Sequence, residues 1–136
     1  MPSVFADIDA GDVDGEAAIL TRAAGRLLQG IAVLHAALGL WSGRGPLAAI
    51  VRDGVLGAVD PFPDRRLAFW FLLASPVLWT LGRLIAWTSA RGGPPGFLGR
   101  ELLVMAAVCC ALMPVSGSWL LLAPAALLLA ASRNRR

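Results

Sequence analysis

The chain is 136 residues long, 57% hydrophobic and only 15% charged, with a mean hydropathy of +0.70. Water-soluble domains are about 45–50% apolar and about a quarter charged. The composition excludes an ordinary soluble domain, and because the apolar residues lie in long runs it points to a polytopic membrane protein. All twelve basic residues are Arg, which together with the Ala- and Leu-rich composition suggests a high-GC bacterial genome. The formal charge of +3 is segregated: Asp7, Asp9, Asp12, Asp14 and Glu16 make the first residues strongly acidic and leave the remainder basic. Arginines that flank apolar runs orient helices and meet anionic head groups, so the expected partner is the lipid bilayer and nucleic acid is not expected.

In chain order, 1–15 lack an apolar face and read as an acidic disordered tail, with no basic, apolar start of a cleavable leader. A four-helix membrane domain is expected over 16–133, with a basic tail at 134–136. Its first span, 24–43, is interrupted only by Arg26, Gln29 and His35. Pro46 to Val59 places Leu47, Val51 and Val55 on one side at helical spacing, as in a short helix lying in the membrane interface. Asp60-Pro61-Phe62-Pro63 stops it, because each proline drives its predecessor out of the α region, and Asp64 stands ready to cap the next helix. The second span is 67–87, with Pro76 at its centre. The uncharged stretch 102–131 would be about 45 Å long as one helix, against a hydrocarbon core of about 30 Å. The turn-forming Pro114-Val115-Ser116-Gly117-Ser118 divides it into spans near 97–114 and 117–133.

The positive-inside rule favours four spans over three. Four place Arg22, Arg26, Arg83, Arg91, Arg100, Arg133, Arg135 and Arg136 on one side and Arg44, Arg52, Arg65 and Arg66 on the other. The expectation is therefore an all-α protein in the bacterial cytoplasmic membrane, with both termini cytoplasmic. Trp41, Trp70 and Trp119 would mark one interface and Trp87 and Phe97 the other.

Candidate chemistry is sparse. His35, the one histidine, shares a helix face with Ala32, Gly39 and Ser42, which directs it to the bundle interior. Ser75, Thr80 or a carbonyl freed by Pro76 could receive its hydrogen bond. Arg52, Asp53, Asp60, Asp64, Arg65 and Arg66 form a second polar group on the outer side, able to line a mouth above His35. Ordinary roles compete with this: Asp64 as a cap, Arg65 and Arg66 at head groups, Arg52 paired with Asp60 or Asp64. Gly39 and Gly43 form a GxxxG suited to packing within the monomer or to a dimer seam. One His and the adjacent Cys109 and Cys110 cannot build a metal shell. No cofactor is expected, since a phosphate-binding glycine loop and a pair of haem ligands are missing, and no G-x-S-x-G marks a serine nucleophile.

Arg52-Asp53-Gly54, Ala58-Val59-Asp60-Pro61, Pro63-Asp64-Arg65, Ala68-Phe69-Trp70-Phe71 and Leu112-Met113-Pro114-Val115-Ser116-Gly117 resemble a family of small bacterial four-helix membrane proteins of unknown function. The resemblance extends over 24–132 and implies topology rather than activity. Two readings follow. The first is a non-catalytic module that packs against itself or a membrane protein partner, or holds a lipophilic ligand. The second is a membrane enzyme or small-molecule carrier that uses His35 with the outer carboxylates. The balance of residues weighs against an enzyme.

Overall fold

The computed structural model describes the backbone of residues 4–134 and the side chains of residues 14–134; the arginines expected in the basic tail at 135 and 136 lie outside them. The described chain is all-helical. Its elements are α1 (Val4–Ser42), α2 (Arg44–Arg52), α3 (Pro63–Thr88), α4 (Leu98–Leu112), a 3-10 helix (Gly117–Leu121) and α5 (Leu122–Asn134).

Three expectations about these elements are corrected. The segment 4–15, whose pattern suggests an irregular tail, is helical, because α1 already begins at Val4. Extending an existing helix fixes one residue per added bond, and acidic residues are favourable in its first turns. The arginine count favours four spans, but among the described residues two helices are long and apolar enough to cross a membrane, Asp14–Ser42 and Pro63–Thr88. The continuous α4 has 15 residues, and the stretch expected as a fourth span is a 3-10 helix followed by a 13-residue α5. Lastly, Asp64 does not cap α3. The helix begins one residue earlier, at Pro63, whose fixed φ suits the first helical position and whose missing N–H loses nothing there. Asp64 instead stands in the acidic first turn.

The chain divides into two compact units, Gln29–Thr80 and Met1–Leu28 with Leu81–Arg136. Within Gln29–Thr80, α1 and α3 run antiparallel with their backbones close. A Cβ on Gly39 would come within 3.0 Å of the Phe71 ring, and one on Gly43 within 3.2 Å of Ala68 Cβ. The GxxxG thus serves packing inside the monomer. α2 ends sooner than the apolar pattern suggests, because Gly54 takes a left-handed φ of 93°. The Gly54 N–H then reaches the Val51 carbonyl, and the Val55 N–H reaches Ile50 at 3.0 Å. This paired closure of a helix C-terminus satisfies two carbonyls and favours glycine at the reversing position.

In the second unit, a Cβ on Gly25 of α1 would meet the Gly82 carbonyl oxygen at 2.5 Å and the Ala86 nitrogen at 2.7 Å on α3. Only glycine allows so direct a backbone approach. α4 turns one face, Gly99, Leu102, Ala106 and Cys110, onto α5, where Pro124, Ala125, Leu128 and Ala131 are buried. The spacing of three and four residues on each helix is that of one helical stripe. Gly99 completes the seam, since its Cβ would lie 3.1 Å from Leu128 Cβ.

Candidate functional site

The polar residues singled out on the outer side converge only in part. Arg65 is buried in the first turns of α3, against the expectation that it reaches head groups. Its Nη2 donates to the Asp53 carboxylate at 2.6 Å, with side chains 10% and 44% exposed. Its Nη1 donates to the Ala58 carbonyl at 2.9 Å, and the guanidinium lies 4.0 Å from the centroid of the Phe62 ring. One side chain thereby holds three points of the 53–62 connection. A guanidinium suits this task because its donors are fixed in a planar fork and its face stacks on an aromatic ring.

Arg65 therefore pairs with Asp53 rather than with Asp60 or Asp64. The physical reason is the early reversal at Gly54, which brings the end of α2 back toward the start of α3. Arg52, Asp60, Asp64 and Arg66 are all exposed and do not join the buried pair. The pairing is hidden in the sequence because the partners are twelve positions apart. Its one local signal is the Gly54 stop together with Pro61 and Pro63, which force the chain to fold over its own helix end.

The connection is also strained. Val55 has a φ of 65°, and the Leu56 N–H bonds back to the Gly54 carbonyl at 2.7 Å. That is the tight three-residue turn of positive φ, rare in proteins and unfavourable for a β-branched residue. Val55 and Leu56 are left exposed, Leu56 to 94%.

His35 is half-buried on α1 and its Nε2 lies 3.0 Å from the Phe71 carbonyl of α3. With that carbonyl as acceptor, Nε2 carries the hydrogen. The imidazole stacks on the Phe71 ring, centroids 4.0 Å apart. The acceptor is a backbone carbonyl, as one of the three expected partners was, but it belongs to Phe71 rather than to Leu72, whose carbonyl Pro76 leaves without its helical donor. Ser75 Oγ is buried without a partner. The carbonyl it would ordinarily reach, four residues back, is the one His35 uses. Arg65 lies six residues from Phe71, about 9 Å along the helix, so His35 and the Asp53–Arg65 pair are separate features.

Neither of two cavities in the other unit touches these residues. One, of about 10 Å³, lies among Thr21, Pro95, Gly99 and Leu128, and it has room for a single water. The other is an open depression beside Asp14, Ala18 and Ser89. Among the described residues no three of His, Cys, Asp and Glu converge as metal ligands would.

No curated protein and no solved structure matches the chain significantly. A family does: residues 20–135 match the family of unknown function DUF6463, a stretch that includes the Asp53–Arg65 pair and His35. The chain is a member of the DUF6463 family.

Proposed function

We propose that this protein is a non-catalytic integral module of the bacterial cytoplasmic membrane, with α1 and α3 crossing the bilayer and both termini in the cytoplasm. One observation carries the reading. The apolar windows of these two helices are only 28% and 22% buried within the protein, whereas an equally apolar core helix of a soluble domain is mostly covered. Leu34, Leu38, Trp70, Val77 and Leu84 all face outward, and hydrocarbon is the surrounding in which such faces are stable.

The helix ends support the same placement. α3, about 39 Å long, exceeds a core of about 30 Å by enough to carry its flanking arginines into the head groups. Arg44 lies over Trp41 at 4.9 Å and Arg91 over Trp87 at 3.9 Å, the cation and aromatic pairing characteristic of membrane interfaces. The arginine count still sets eight on the cytoplasmic side against four outside.

The polar residues favour a packing role over catalysis. His35 donates to a main-chain carbonyl and stacks on a ring, so its visible work is to join two helices. Arg65 is occupied by the connection it holds. The module would accordingly present its helix faces to lipid, to a second copy or to another membrane protein. Extraction of the tagged chain from membranes at alkaline pH tests the reading. Retention in the pellet is expected, and release with peripheral proteins would overturn it.

A further inference from the structure

The hairpin of α4, the 3-10 helix and α5 ends in a tip that is apolar, exposed and uncharged. Val115 is fully exposed, and Leu112, Met113, Trp119 and Leu120 are exposed beside it. A turn protruding into water normally carries polar residues, because its irregular backbone needs hydrogen bonds from solvent. Here several of the polar groups meet one another. The Trp119 indole N–H donates to the Pro114 carbonyl at 2.9 Å. The Ser116 and Ser118 hydroxyls are 2.7 Å apart, and the Ser118 N–H reaches Ser116 Oγ at 3.3 Å. The Ser116 N–H closes a turn on the Met113 carbonyl, and the Met113 N–H returns to Cys109.

Length points the same way. Arg100 and Glu101 are exposed in the first turn of α4, and their charges belong at an interface. From Glu101 to Leu112 the helix rises about 16 Å, roughly half of a core of about 30 Å. The turn at Met113 to Ser116 closes on itself and adds little reach.

We infer that the α4–α5 hairpin is re-entrant: it enters the bilayer from the cytoplasmic side, turns within the hydrocarbon and returns. This rests on the membrane placement proposed above and adds to it that lipid tails are what the tip at 112–120 contacts. Irregular backbone at that depth needs its polar groups satisfied internally, and here the Met113 and Ser116 N–H groups, the Pro114 carbonyl, the Trp119 indole and both serine hydroxyls find partners within the hairpin.

Single cysteines in the full chain, with Cys109→Ala and Cys110→Ala, separate the alternatives through a membrane-impermeant maleimide. Asp60→Cys should label on intact cells and Gly96→Cys only after permeabilisation. Val115→Cys should label in neither state and become reactive only when the membrane is dissolved in denaturing detergent. Labelling of position 115 on intact cells, with the two controls behaving as stated, would overturn the re-entrant hairpin and leave the membrane placement standing. Recovery of the chain in the soluble fraction, with all three positions labelled, would overturn both. Val115→Arg provides a second measurement independent of labelling. Loss of membrane-integrated protein relative to Val115→Ser is expected, and equal amounts would place the tip in water.

Discussion

Two non-helical connections in this protein solve the same problem by opposite means. The 53–62 segment is held by a charge: the buried guanidinium of Arg65 grips Asp53, the Ala58 carbonyl and the Phe62 ring. The 113–118 turn uses no charge, and its carbonyl, indole and hydroxyl groups bond among themselves. An ion pair suits a segment at a water interface, where Asp53 remains partly solvated. Neutral bonds made within the segment suit hydrocarbon, where an ionised group would be far more costly to place. The contrast teaches that an irregular segment can be held with a charge or without one, and the membrane placement proposed above assigns the two segments to different media.

The strongest way to break the contrast is Arg65→Ala. Removing one member of a buried pair costs about 3–5 kcal/mol. With Asp53 nearly half exposed, a loss of about 2 kcal/mol is expected in detergent unfolding, together with faster hydrogen exchange at residues 50–59. Arg65→Lys should recover part of the stability through Asp53, since an ammonium lacks the fork that also reaches Ala58. Unfolding and exchange unchanged in Arg65→Ala would mean that the connection is held by other contacts.

Val55→Gly probes the strain in the charged segment. A valine at φ 65° stores about 1–3 kcal/mol, against roughly 0.5–1 kcal/mol of added chain entropy for glycine. A net gain of about 1 kcal/mol in unfolding free energy is expected, with no comparable gain from Val115→Gly in the uncharged turn. Trp119→Phe then tests that turn, deleting the indole bond while keeping an aromatic ring. The expected loss is about 0.6 kcal/mol, the mean measured for hydrogen bonds inside membranes. The smallest effect is that of salt. At about 1 M the Debye length shrinks to about 3 Å, and the wild type should lose no more than about 0.5 kcal/mol through the exposed side of Asp53. The same salt step should leave the Trp119→Phe difference unchanged when unfolding is compared at both concentrations.

Several features are legible in the residues alone. The apolar runs locate α1 and α3, and the Pro114 to Ser118 cluster marks the reversal between α4 and α5, because hydropathy and turn chemistry act over a few consecutive residues. His35 is readable as a helix-joining residue from the small residues on its face. Its acceptor is not, because each helical carbonyl along α3 offers the same chemistry and the register of the two helices selects Phe71. Ser75, left without that carbonyl, is unreadable for the same reason.

The number of full spans shows where local pattern ends. Positions 102–132 carry no charge, so the positive-inside count is identical whether the hairpin crosses or turns back, and hydropathy alone merges a 15-residue helix with its exposed turn. The sequence by itself determined that the chain is helical, that its apolar runs suit a bilayer and where the arginines gather, since these follow from composition and periodicity. Only the tertiary structure decided that Arg65 chooses Asp53 over Asp60 and Asp64, that Gly25 brings α1 against the backbone of α3 while Gly39 receives the Phe71 ring, and that the Trp119 indole and the Ser116 and Ser118 hydroxyls of the α4–α5 turn bond within it. Those outcomes depend on which atoms come within about 3 Å after distant segments meet, and residue spacing along the chain does not encode that distance.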